Sequence, residues 1–211
     1  KRQLALMSDV SQFMKLLKQR FSVWFNKSHQ RYGTLWAERF KSLLVEPTGR
    51  AIETVAAYID LNPVRAGLVD DPKDYRFCGY GEAVAGNLDA QRGLLSLRNE
   101  TDWSDAQAGY RLALFGTAAA PRAHAASVSP EALQQVVVTG GKLPLTTLLR
   151  CRIRHFTDGA VLGSQAFVQR QLTVYRTLHR RRERTSVRPM PALTDWGGLA
   201  TLRGLRRPSL G

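Results

Sequence analysis

Apolar residues recur twice at three- and four-residue steps in the first third of this chain, and the second run ends against a proline. Val10, Phe13, Met14, Leu17, Phe21 and Trp24 trace the first stripe, which predicts a helix over Ser8 to Lys27 with Ser8 capping its first turn. Gly33 signals a turn, and Leu43, Leu44 and Val45 read as a strand that ends before Pro47. Thr48 is then placed to cap a second helix through Ala51, Ile52, Val55, Ala56 and Ile59. That helix stops near Asn62, because Pro63 disfavours helical geometry in the residue before it, and a short turn closes at Gly67. At about 100° per residue, Ile52, Val55, Ala56 and Ile59 share the core face. Tyr58 and Asn62 fall together on its flank, one turn apart, where they can point at a common site. The same two residues also suit a tyrosine at the core edge with its hydroxyl in water and an asparagine that ends a helix.

Charge divides the chain into three. Its 31 Lys and Arg against 17 Asp and Glu leave a formal +14. Residues 1–48 hold +6, residues 49–144 hold −2 and residues 145–211 hold +10. Two basic ends around a mildly acidic middle fit two surfaces that each approach a polyanion, since neutralised phosphates release condensed counterions. No run reaches the roughly 18 apolar residues that span a bilayer, and Lys1 to Ser8 lacks the apolar core of a signal peptide, so the reading is a cytoplasmic protein without a membrane partner. Cys78 and Cys151 stand far apart, with no second thiol at metal-ligand spacing, and read as buried reduced thiols.

The remainder reads as helical. Residues 87–141 are Ala- and Gly-rich, with a helix from Ser104 to Phe115 and linker-like stretches at 118–121 and 123–129. Leu145 to Phe156 reads as a helix carrying Arg150, Arg152 and Arg154, followed by a turn around Asp158 to Gly163. A second helix capped by Ser164 follows, with Phe167, Val168, Leu172 and Tyr175. The pair is compatible with a helix-turn-helix that sets its second helix in a major groove, and equally with a plain helical hairpin. Arg176 to Arg188, with Arg180, Arg181 and Arg182, reads as a basic arm that touches phosphates without reading sequence.

Four strings carry a resemblance. Phe25-Asn26-Lys27, His29 to Gly33 (HQRYG), Leu35 to Phe40 (LWAERF) and above all Tyr58 to Val69 (YIDLNPVRAGLV) resemble the REP-associated tyrosine transposases, a branch of the single-tyrosine transposases. The likeness covers residues 8–86, and a weaker one continues through His155 to Val168 (HFTDGAVLGSQAFV). It implies an α+β chain: an incomplete ferredoxin-like catalytic portion at 1–86, a helical segment and linker at 87–141, and a mainly helical, basic DNA-binding region at 142–211. It also implies a tyrosine that attacks single-stranded or hairpin DNA and becomes joined to a 5′ phosphate, with a His-x-His pair and a polar residue four positions after the tyrosine holding Mg²⁺ or Mn²⁺.

Tyr58 matches that nucleophile and Asn62 that third ligand. The four histidines, His29, His124, His155 and His179, include no pair two residues apart, so the expectation is an N-terminally truncated chain that binds DNA without cleaving it or holding the cation alone. The cations expected to meet DNA are Lys15, Lys18, Arg31, Arg39, Lys41, Arg65, Arg150, Arg152, Arg154, Arg180, Arg181 and Arg182. The resemblance further implies a nucleoid location and admits a homodimer. A noncatalytic DNA-binding regulator or remnant is the alternative reading, and an unrelated basic RNA-binding protein is a third.

Overall fold

The computed structural model describes residues 9–116, 143–150, 153, 156, 159–179 and 186–203, which form an α+β chain with a four-stranded mixed sheet. Contacts divide it into two compact units, Lys1–Ser42 and Leu43–Gly211, where the sequence had suggested boundaries after residues 86 and 141.

The first unit is one helix with a loop laid along it. Helix α1 (Val10–Ser28) starts at Asp9, whose carboxylate accepts from the backbone N–H of Ser11 at 2.8 Å and Gln12 at 3.1 Å, so the cap lies one residue past the expected Ser8. None of its residues is buried. The loop is tied back by Trp36 Nε1 donating to Ser22 Oγ (2.9 Å), Lys18 Nζ to the Glu38 carbonyl (2.9 Å) and Asn26 Nδ2 to the Gly33 carbonyl (3.0 Å).

The second unit is built on the sheet. Strand β1 (Leu44–Val45) falls where the apolar run predicts it and pairs in parallel with β2 (Gly159–Ser164). Strand β2 pairs antiparallel with β4 (Leu199–Arg203), and β4 with β3 (Arg188–Pro189), giving the order β1-β2-β4-β3. The sheet is covered on both faces. Val161, Ala200 and Leu202 pack with Phe167, Val168 and Leu172 of helix α8 (Gln165–His179). Leu162, Leu199, Met190 and Trp196 join the main core.

That core is filled by α2 (Arg50–Asp60), α4 (Gly79–Val84), α5 (Leu88–Arg98), α6 (Trp103–Phe115) and α7 (Leu145–Leu149), with α3 (Asn62–Arg65) turning the chain between them. Side-chain caps start several of these helices: Asn87 for α5, Asp102 for α6, and Ser164, whose Oγ accepts from Phe167 N–H, for α8. Thr48 is not a cap. Helix α2 begins at Gly49, with φ of 72° and no capping side chain, a backbone state that glycine adopts without strain.

One expectation for the C-terminal region changes. The segment read as a turn, around Asp158 to Gly163, contributes β2, hydrogen-bonded to a strand on each side, so α8 follows a sheet strand and not a helix-turn-helix turn. The region also supplies three of the four strands, β2, β3 and β4, beside the helices α7 and α8. The physical reason is that β2 is buried on both faces and is a short apolar run between glycines, without the alternation that marks a half-exposed strand. Glu46 completes the join, accepting from Ser164 N–H at 2.7 Å and from Ser164 Oγ at 3.0 Å.

Candidate functional site

Tyr58 lies inside the core, 8% exposed, and not on the flank of α2. The buried residues of that helix are Ala51, Thr54, Val55, Ala57, Tyr58 and Asp60, whereas Ile59 is 54% exposed. Core surrounds α2 on two sides, and polar partners draw Asp60 inward, so the buried arc is rotated from the one that apolarity alone marks out. The Tyr58 ring meets Phe156 edge-on at 4.8 Å, and Phe156 in turn meets Trp196 at 6.0 Å. The Arg65 guanidinium covers the ring, 3.8 Å from its centroid.

Arg65 also decides what Asn62 can do. Its guanidinium donates to Asn62 Oδ1, to the Tyr58 carbonyl at 2.6 Å and to the Leu149 carbonyl. It thereby neutralises oxygens at the end of α2 and fastens that end to α7. The structure does bring Tyr58 and Asn62 to one group, but that group is an arginine.

A divalent ion bound at Asn62 Oδ1 would lie against this guanidinium, a like-charge contact in partly buried surroundings. Among the described residues no group of three His, Cys, Asp or Glu is arranged to hold a metal. Asn62 Oδ1 is thus already engaged by Arg65.

The expected DNA-contacting cations divide by place. Lys15, Arg31, Arg39 and Lys41 are exposed on the first unit. Lys41 pairs with Glu38 at 3.2 Å, and the Arg31 guanidinium stands 5.9 Å from the Phe25 ring. Lys18 is half-buried beneath its own contacts, 4.8 Å over the Trp36 ring. Arg150 rests over Phe115 at 5.4 Å, and Arg65 is engaged as above. Arg152, Arg154, Arg180, Arg181 and Arg182 lie outside the described residues, as do the linker stretches at 118–121 and 123–129.

A buried polar cluster around Asp60 was not foreseen. Asp60, 5% exposed, accepts from the Tyr110 hydroxyl at 2.7 Å and from the backbone N–H groups of Tyr80 and Gly79. Cys78, free and buried, caps α4 by accepting from Gly81 N–H at 3.3 Å, while its thiol donates to the Pro72 carbonyl at 3.2 Å. Arg111 bridges Asp71 Oδ2 (3.0 Å) and the Tyr80 hydroxyl (3.2 Å). The one sequence signal for this cluster was Asp60 itself, a carboxylate placed between Ile59 and Leu61.

Burial pushes the Asp60 carboxyl above the usual carboxylate range even though its hydrogen bonds pull it down. Burial, followed by the charge of Asp60, holds the Tyr110 phenol well above its ordinary value, and burial likewise raises the Cys78 thiol. A raised native pKa means that the folded state binds the Asp60 proton more tightly than the unfolded chain does. Its contribution is complete below the ordinary value of 3.8 and is lost as pH rises through the native value. Urea unfolding from about pH 4 to about pH 8 should therefore show wild type losing stability relative to Asp60→Asn as pH increases. A gap between the two that does not change with pH would remove this account of Asp60.

No family model, no curated protein and no solved structure matches this chain.

Proposed function

We propose that this chain is a DNA-binding protein of the single-tyrosine transposase kind that holds single-stranded or hairpin DNA on its basic surfaces without cleaving it. One observation carries the reading: residues 9–42 bear seven Lys and Arg against Asp9 and Glu38, on a unit whose helix buries none of its residues. Cations displayed in this way can release counterions from a phosphate backbone. The family is proposed on the resemblance of Tyr58 to Val69, and the ferredoxin-like arrangement, the homodimer and the nucleoid location go with it. The absence of cleavage follows from Tyr58 being enclosed and from Asn62 Oδ1 serving Arg65 in place of a metal.

The test is binding of a labelled hairpin oligonucleotide at two salt concentrations, followed by a denaturing gel in Mg²⁺ or Mn²⁺. About four phosphate contacts should weaken binding about 50- to 150-fold between roughly 50 and 200 mM salt, the larger loss for contacts to the duplex stem. An affinity that ignores salt would remove the electrostatic basis. A protein-linked DNA band would show that Tyr58 reaches a phosphate after all.

A further inference from the structure

The first unit exposes aromatic rings as well as cations, and the two are interleaved. Phe13 is 51% exposed, Phe21 42%, Trp24 57% and Trp36 45%. Phe21 lies 5.5 Å from Trp24 and 5.8 Å from Trp36, so Trp24, Phe21 and Trp36 form a continuous run of rings. The run is held in place, because Trp36 Nε1 is fastened to Ser22 Oγ and the Lys18 ammonium sits over the Trp36 ring. At about 100° per residue, Arg20 and Lys27 border the stripe on one side and Lys18 on the other. Helix α1 contains no acidic residue from Val10 to Ser28.

We infer that this aromatic run on α1 is a stacking surface for the bases of single-stranded DNA. The inference rests on the proposed DNA binding and names the part of it that distinguishes single strand from duplex. An apolar protein partner would have to bury Lys18, Arg20 and Lys27 along with the rings. A single strand instead offers planar bases to the rings and phosphates to the flanking cations, an arrangement that tolerates any base sequence. A duplex keeps its bases stacked on one another and cannot present them.

The experiment uses the full chain, Trp24→Leu and Phe21→Leu, variants that keep apolar area but lose the π face at exposed positions. The probes are a 12-nucleotide oligo(dT) and a duplex of equal length, read by affinity and tryptophan fluorescence. Oligo(dT) should quench wild-type fluorescence while the duplex does not, and each variant should lose about tenfold in oligo(dT) affinity with an unchanged salt slope. Salt-dependent binding of equal strength in wild type and both variants, without quenching, would overturn the stacking surface and leave DNA binding standing. Failure of wild type to bind either probe would overturn both. Sedimentation that shows wild-type self-association, lost in Trp24→Ser, would assign the face to a second copy and overturn the inference.

Discussion

Gly81→Ala is expected to disrupt the second unit. A methyl group at this position would stand 2.2 Å from the Tyr75 carbonyl oxygen and 2.9 Å from that of Pro72, and both atoms belong to the backbone. No rotamer change relieves such a contact. The turn Pro72–Asp74 must move away from α4, and those same two carbonyls accept the Cys78 thiol beside the Asp60 and Tyr110 pair. Overpacking typically costs about 1–3 kcal/mol, and an obstacle made of backbone places this one at about 3 kcal/mol or above, a large fraction of a domain's stability. Gly93→Ala is the control. It lies within α5 with nothing inside 4 Å of the added carbon, so it should stabilise by about 0.5–1 kcal/mol. Thermal denaturation of both variants decides the matter, and a Gly81→Ala melting temperature equal to that of wild type would mean that the turn Pro72–Asp74 packs only loosely against α4.

Tyr58→Ala should cost about 3–5 kcal/mol, as removal of a large core ring does, whereas Tyr58→Phe should stay within about 1 kcal/mol of wild type. The ring supplies the Phe156 contact and the platform under Arg65, and phenylalanine keeps both. The hydroxyl has no hydrogen-bond partner among the described residues. The pair of variants separates two roles, because Tyr58→Phe removes the nucleophilic oxygen while sparing the fold. Urea unfolding together with the DNA-adduct gel reads both. Equal destabilisation by the two variants would mean that the hydroxyl, and not the ring, carries the structural role.

Much of the secondary structure could be read from the chain because its causes are local. The helix at Val10–Ser28, the strand at Leu44–Val45 and the Ser164 cap each depend on residues within a few positions of one another. The stop expected from Pro63 falls elsewhere: α2 ends at Asp60, and Asn62 and Pro63 open α3, because a first helical turn tolerates proline. Charge segregation is likewise a property of composition, and it already pointed to a polyanion. Strand β2 could not be read in this way. Its partners Leu44 and Val45 are more than a hundred residues away, and a central strand buried on both faces carries no alternating pattern.

The surroundings of Tyr58 show the same division. Local spacing put Tyr58 and Asn62 close together, and Arg65 meets both, although Asn62 stands in α3 and not on α2. Spacing cannot count how many sides of a helix will be covered, and here packing on two sides carried Tyr58 inward and left Ile59 exposed. Nor does it say which cation reaches an amide oxygen first. Arg65, three residues beyond Asn62, takes that oxygen because the Leu149 carbonyl, brought up by α7, holds the guanidinium in place. Residue types and local order were therefore settled by the sequence, whereas enclosure and hydrogen-bond partnership were settled by tertiary packing, since both depend on groups that only folding brings together.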